Sequence, residues 1–500
     1  MKKTIFCLLM VALLLFGLSG CAGLGGHDAP KSSASPVEET EQPGEVSGAE
    51  ISLEGDSIST RAKGVAVNGR VVTIAAPGEY VLRGTLNDGR VIVNTAGQAG
   101  DVILTLDGVE ISCLTDSAIY VAQADEVDLL LAPGSRNKVV SGTESDAAAH
   151  NDQSNGAAIF AEDDLDIKGE GALEIIGYIN NGVTCKDDLC VKGGTVTVTA
   201  TNNGLRGAES VQISGGELHI TAGNDGIKST SAVKEGKGFV EISGGSITVE
   251  SVGDAISAET ELTVSGGSVN VKTAGGDPLA SSKGLKATTR LTVSGGELVI
   301  DSFDHCLRSA GDLTISGGVI HAVSVDGKGL SAEGALLIGD GELSVTATSD
   351  GVFSEIALTI QGGSLSVSAG GDGLKAGSKG TGFETPVGTM SIEGGTILVT
   401  AAEDPIDAKA SLKISGGSIL AAGSSKRVKG FDAESGQRSV AWSFSGPRQT
   451  VLTVSADGVE GLSLTADYGY NTVLFSAPEL TPGAACTISN GINSASQAAA

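Results

Sequence analysis

Between Leu189 and Ala421 one pattern is written ten times, and it limits the chain to a stack of near-identical turns. Its fullest copy is Val211 to Ser229, VQISGGELHITAGNDGIKS. An alternating aliphatic run leads into Ser-Gly-Gly, a second alternating run follows, and a short link ends in Asp/Asn-Gly, an aliphatic residue and a small one. The second glycines, Gly194, Gly216, Gly245, Gly267, Gly296, Gly318, Gly341, Gly363, Gly395 and Gly417, lie 22, 29, 22, 29, 22, 23, 22, 32 and 22 residues apart. A period of 22 with occasional inserts predicts coils of constant circumference.

Each period contains three alternating runs and no apolar residues at helical spacing, so each coil holds three short strands. The first strand points pairs such as Val211/Ile213, Leu262/Val264 and Leu291/Val293 inward, and Leu412/Ile414 is the last such pair. The second does so with Leu218/Ile220, Val269/Val271 and Ile397/Val399. The third is shorter and ends on a small residue, as in Leu205/Gly207, Ile227/Ser229 and Leu374/Ala376. Aliphatic residues then stack coil on coil at about 4.8 Å, the spacing of hydrogen-bonded strands. Glycines supply the positive φ that the corners need.

Composition fits such a column: 74 glycines, 40% hydrophobic residues and only 3% aromatic ones. The net charge of −28 repels phosphate backbones and favours cations, which argues against a nucleic-acid partner.

Residues 1–20 read as a secretory leader: Lys2-Lys3, an apolar run from Ile5 to Phe16 too short to span a bilayer, then Leu18-Ser19-Gly20 before Cys21. Cys21 is expected to be acylated, holding the protein on the outer face of a membrane by lipid alone. Residues 21–50 are rich in Gly, Ser, Pro and Glu and form a flexible tether. Residues 51–160 carry strands of looser spacing, read as an N-terminal cap and first irregular coils, and 161–423 hold the regular repeats. Residues 424–490 gather Trp442, Phe444, Tyr468, Tyr470 and Phe475 in a β-rich cap, with a sugar platform as the alternative, and 491–500 are expected to be a disordered tail. A polar loop at Ser141–Gly156 and inserts at Ser231–Gly238, Gly276–Ser282 and Gly377–Gly388 project from the body, either as tolerated loops or as borders of a working surface. Cys185 falls on an inward column and Cys190 points outward, so the two are not expected to bond.

In a stack of coils, chemistry is read by column. One column, at the start of the third strand, runs Asn181, Asn203, Asp225, Asp254, Lys283, His305, Lys328, Asp350, Asp372 and Asp404. Turn chemistry accounts for Asp-Gly and Asn-Gly there. Yet carboxylates repeated every ~4.8 Å repel unless a cation lies between them, so calcium is the competing reading. A second column, three residues on, runs Thr184, Arg206, Lys228, Ser257, Lys286, Arg308, Ser331, Phe353, Lys375 and Asp407. Its basic members Arg206, Lys228, Lys286, Arg308 and Lys375 either balance the acidic column or form a rail for an anionic ligand. Acidic doublets, Asp163-Asp164 and Asp187-Asp188, add to cation sites or solvate a corner. No nucleophile elbow or zinc motif is present, so no catalytic residue is assigned.

The stretches Leu104–Ser112, Ala118–Asn137, Ala158–Gly171, Asn180–Val198, Asn224–Ser229 and Gly371–Ala376 resemble a family of cell-surface carbohydrate-binding proteins of anaerobic fibre-degrading bacteria. Members of that family are right-handed parallel β-helices shaped like pectate lyases. The resemblance runs from about Ile51 to about Asn490. It implies an all-β, right-handed parallel β-helix with β-rich caps, and calcium-dependent binding of cellulose and acidic plant-wall polysaccharide. Where the family often carries an acidic pair, this chain has Asp304-His305 and Gly327-Lys328, so those coils are not expected to hold the ion. A calcium-dependent uronate lyase and an adhesin or structural spacer are the alternative functions.

Overall fold

The computed structural model describes residues 48–144, 156–275, 281–378, 387–425 and 436–499. The chain divides into two compact units, Met1–Gly44 and Glu45–Ala500, and the fold described is that of the second. The leader, Cys21, nearly all of the tether, residues 145–155 of the polar loop, 276–280 and 379–386 of two inserts, and 426–435 lie outside the described residues.

Within the described residues the named elements are 45 strands, and between neighbouring turns they pair in parallel along three ladders. On the first ladder Leu189, Val211, Val240, Leu262 and Leu291 pair in succession. On the second, Val196, Leu218, Ile247, Val269 and Leu298 do the same, and on the third Leu205, Ile227, Ile256, Leu285 and Leu307. The offset equals the repeat length of each turn, so an insert lengthens one connection without shifting register. The first two ladders merge into one 26-stranded sheet because some strands, such as Asp312–Ser324, run on through the glycine corner, while the third forms a 15-stranded sheet.

The alternation in sequence is the alternation in burial. Inward pairs such as Val211/Ile213, Leu218/Ile220 and Ile227/Ser229 are at most 2% exposed. Leu412, on the last regular rung, is only half-buried, since less is stacked above it. The corner glycines meet two demands together. Gly245 has φ +86°, and a Cβ on it would lie 2.9 Å from the carbonyl oxygen of Gly216 one turn below. Side chains are thus excluded by both conformation and stacking. The five described cysteines are free thiols, with Cys185 buried and Cys190 half-exposed, as their columns predict.

Both ends are closed by antiparallel strands. Ala49–Gly55 takes the short strand Ile58–Thr60 on one side and the parallel body on the other. At the far end Thr472–Ser476 pairs antiparallel with Ser411–Gly423. Beyond it, Val459–Ala466, Thr450–Ala456, Ala485–Ser489 and Ser494–Ala498 form a separate four-stranded antiparallel sheet. The tail therefore needs correcting. Ser494–Ala498 is not disordered but pairs with Ala485–Ser489, because the cap sheet offers it an open edge.

Candidate functional site

The Asx column builds a side-chain ladder along one corner. The Oδ1 atom of Asn181 accepts the backbone N–H of Asn203 at 3.0 Å, and that of Asn203 accepts the N–H of Asp225 at 3.3 Å. Asp225 then accepts from Asp254 at 2.8 Å and Asp254 from Lys283 at 2.9 Å. Asp350 serves Asp372 at 3.2 Å, and Asp372 serves Asp404 at 3.0 Å. His305 does the same with Nδ1, accepting the N–H of Lys328 at 3.1 Å. Each side chain thus satisfies a buried amide of the following turn, a group that is costly to leave unpaired. The glycine that follows is needed for closeness. A Cβ on Gly226 would lie 2.2 Å from Val249 Cγ1, although Gly226 is not among the positive-φ glycines.

The second carboxylate oxygens are taken by the basic residues. Asp225 Oδ2 accepts from Lys228 Nζ at 2.7 Å, Asp254 Oδ2 from Lys286 at 2.9 Å, and Asp372 Oδ2 from Lys375 at 2.8 Å, which also reaches Asp350 at 3.2 Å. Lys328 covers the other oxygen of Asp350 at 2.5 Å. Burial pushes the Asp350 carboxyl up, but the Lys328 and Lys375 ammoniums outweigh it and hold it below the usual range. Burial likewise opposes the charge on Lys375, yet Asp372 and Asp350 carry its ammonium up to about 12. Arg308 pairs with Glu333.

Arg206 differs from these four. Half-buried, it meets no carboxylate within ion-pair distance among the described residues, and its side-chain hydrogen bond there is to Thr230 Oγ1 at 3.5 Å. Burial lowers its pKa with nothing opposing it. Its rung neighbours are Thr184 and Lys228.

Asp404 is the last rung of the Asx ladder. Its N–H is capped by Asp372, while its carboxylate has no partner among the described residues. One oxygen each from Asp372, Asp404 and Asp407 lies within 4.8 Å of the other two. Asp407 also holds Lys409.

The doublets converge at another corner. Asp163 accepts the N–H of Ala124 at 2.9 Å, and Asp164 that of Asp188 at 3.0 Å. Asp188 takes Ser210 Oγ and Lys237 Nζ, both at 2.7 Å, and Lys237 also reaches Glu209 at 3.0 Å. The insert that carries Lys237 and Lys234 is thereby fastened to the acidic corner, with Lys234 on Glu209 as well. Burial, then the neighbouring Glu209 carboxylate, push Asp187 up to about 6, and burial raises Asp164.

Two groups escape a reading by motif. The basic column begins earlier than Thr184, because Tyr120 and Phe160 occupy the same register, with ring centroids 5.8 Å apart. The parallel phrases AIYVA and AIFAE carried that signal. On the outer side of the first ladder Glu126, Asp128 and Asp166 also gather within 4.8 Å. Lys168 meets Asp128 at 2.7 Å, and Lys192 meets Asp166.

Comparison with known proteins follows the same lines. The family model described as carbohydrate-binding domain-containing protein matches residues 68–329 and 322–499. A carbohydrate-binding domain-containing protein of Acetivibrio thermocellus is 34% identical over 189 residues, which is 38% of this chain and 62% of that relative. The chain thus matches less than two thirds of the relative's length. A solved structure described as the polysaccharide lyase-like protein from C. thermocellum, in a gadolinium derivative, is similar at TM-score 0.43 and 34% identity, covering 51% of this chain and 97% of that one. With the family model extending over most of its residues, the chain belongs to the family of carbohydrate-binding domain-containing proteins.

Proposed function

We propose that this protein is a lipid-anchored, extracellular binder of acidic plant cell-wall polysaccharide, assisted by calcium and built on a right-handed parallel β-helix. The handedness follows from the strong preference of parallel crossover connections for the right-handed path. The observation that carries the ligand class is Arg206: a half-buried guanidinium with no carboxylate partner among the described residues, in a column whose other four basic residues are already paired. A guanidinium fork takes a carboxylate in two parallel hydrogen bonds, so a uronate would complete it. Lys228, Lys286 and Lys375 hold the acidic column in place beside it, and Arg308 is held by Glu333.

For calcium, the donor set that fits best is Asp372, Asp404 and Asp407, since it includes a ladder carboxylate, that of Asp404, without a partner among the described residues. Oxygen-rich donors suit this hard cation, which there would tie the last turn to the one before it. Asp225, Asp254 and Asp350 spend their oxygens on amides and lysines, as Asp372 does on Asp404 and Lys375, so at those carboxylates the ion would compete with lysine, while the Asn203 oxygen serves the Asp225 amide.

Titration calorimetry with polygalacturonate in calcium tests the ligand. Arg206→Gln removes charge-assisted bonds worth roughly 1.5–3 kcal/mol, more than tenfold in affinity, with an unchanged melting temperature. Unchanged affinity would remove Arg206 from the site. A second reading, a uronate lyase, rests on the same half-buried guanidinium with no acid in reach among the described residues, Arg206 then being the base that takes the proton α to the carboxylate. Unsaturated product from the wild type that disappears in Arg206→Gln would establish it. The anchor is tested by Cys21→Ser, which should move the protein from the membrane fraction to the soluble one.

A further inference from the structure

We infer, on the reading of Arg206 as the uronate-binding residue, that the Ser231–Gly238 insert is what keeps its guanidinium open. Lys234 and Lys237 of the insert occupy Glu209, the acid nearest to Arg206 in sequence, and so stop it from closing the site.

Two positions could supply Arg206 with a carboxylate of the protein's own, and neither does. The first lies on the following turn. Arg308 finds its acid there, because Glu333 stands two residues beyond its rung partner Ser331. The rung partner of Arg206 is Lys228, and two residues beyond it stands Thr230, which accepts a hydrogen bond at 3.5 Å but carries no charge. The second position is Glu209 on the same turn. Three residues span at most about 11 Å, a gap that an arginine and a glutamate side chain bridge together.

Glu209 is buried, and a buried carboxylate needs a cationic partner. The insert provides two. Lys234 holds Oε1, and Lys237 holds Oε2 at 3.0 Å while also reaching Asp188 at 2.7 Å. Burial pushes the Glu209 carboxyl up, yet these two ammoniums hold it below the usual carboxylate range. The insert is itself clamped, so the lysines stay where they are. Gly238 donates its N–H to the Glu209 carbonyl, Ser229 Oγ donates to the Gly238 carbonyl at 2.6 Å, and Thr260 Oγ1 donates to that of Lys237 at 2.8 Å. The 29-residue spacing from Gly216 to Gly245 thus exceeds the common 22 by a segment that carries both lysines. With Thr230 on one side and an occupied Glu209 on the other, the guanidinium keeps its fork for a carboxylate that arrives from outside.

The test uses the full chain and two measurements. Calorimetry with an oligogalacturonide in calcium reads affinity, and phenylglyoxal labelling of arginines, followed by peptide mass spectrometry without any glycan, reads whether Arg206 is free. Lys234→Gln with Lys237→Gln releases Glu209 to take Arg206, so affinity should fall about tenfold or more and Arg206 labelling should slow several-fold. Adding Glu209→Gln should restore both. A merely structural role for the lysines would not give that rescue, since losing a third member of the cluster would only loosen it further. Should the lysine pair fail to fold, Lys234→Gln alone frees one Glu209 oxygen and is read in the same way. Three results overturn the inference: Arg206 labelling indifferent to the lysine variants, slowed labelling that Glu209→Gln does not restore, or an affinity that Arg206→Gln lowers and the lysine variants leave unmoved. Absence of oligogalacturonide binding by the wild type, or binding indifferent to Arg206→Gln, sinks the uronate reading instead, and labelling then decides alone whether the insert holds Glu209 off Arg206.

Discussion

The body and the C-terminal cap solve the same problem, keeping water from a β core, with different residues. In the body a side chain is covered by its counterparts one turn above and below, so Val, Ile and Leu of modest size reach full burial. The cap lacks that stacking. It closes with antiparallel strands around a second cluster that includes Trp442, Phe444, Tyr470 and Phe475, among the few aromatics of the chain. Repetition therefore lets small residues do what an unrepeated end achieves only with large ones, since burial scales with covered apolar area whatever supplies the cover.

The largest effect that would break this comparison comes from a body corner. A Cβ on Gly207 would lie 1.9 Å from the carbonyl oxygen of Ser210, which no rotamer can relieve. Gly207→Val should cost more than about 4 kcal/mol, read as a fall in melting temperature, and hydrogen exchange should show the damage spreading to adjacent turns. Damage confined to one turn would mean that the turns do not share their stability.

Next in size is Phe475→Ala, which empties the centre of the cap and should cost about 3–5 kcal/mol. Exchange should rise in the cap strands and stay low at Leu262–Ile300. A uniform rise would show that cap and body unfold as one unit.

The smallest effect concerns pH and belongs to the body. Burial pushes the Asp350 and Asp304 carboxyls up, but the ammoniums beside them, Lys328 and Lys375 for Asp350 and Lys283 for Asp304, hold both below the usual carboxylate range. Their contribution is present above the unfolded value of about 3.9 and is lost as pH falls through their folded values. Asp187 has the opposite sign. Its carboxyl, raised to about 6, contributes stability that is complete below the unfolded value and is lost as pH rises through about 6. Asp350→Asn should flatten the acid limb of melting temperature against pH, and Asp187→Asn should flatten the slope between about pH 4 and 6. If neither slope changes, these groups do not set the pH response.

The repeat was legible because alternation, small third-strand residues and Gly-Gly each have one structural meaning. What the columns do was less so. An Asp at a corner reads equally as a turn former, a metal ligand or an acceptor for a neighbouring turn, and only pairing distances show that Asp225 spends one oxygen on the Asp254 amide and the other on Lys228. Arg206 looks like its basic neighbours in sequence, because what distinguishes it is the lack of an acid within reach among the described residues. Tyr120 and Phe160 share its column, but 40 residues separate them, and the irregular early turns hide that register. Ser494–Ala498 reads as a tail because an edge strand made of Ser, Ala and Gln has no apolar alternation to reveal it.

The Asx ladder has a consequence for how such a chain can change length. Its repeating contact runs from a side chain on one turn to a backbone amide on the following turn, so each turn needs only that its predecessor carry an acceptor. Asn, Asp and His305 qualify, whereas Lys283 and Lys328 have donors alone and interrupt the series. A whole turn could therefore be copied or excised within the Asn181–Asp254 or Asp350–Asp404 segment without leaving an amide stranded, while a fractional turn would strand one at once. Length in this architecture is quantised, and the two lysines mark where one countable segment stops and the next begins.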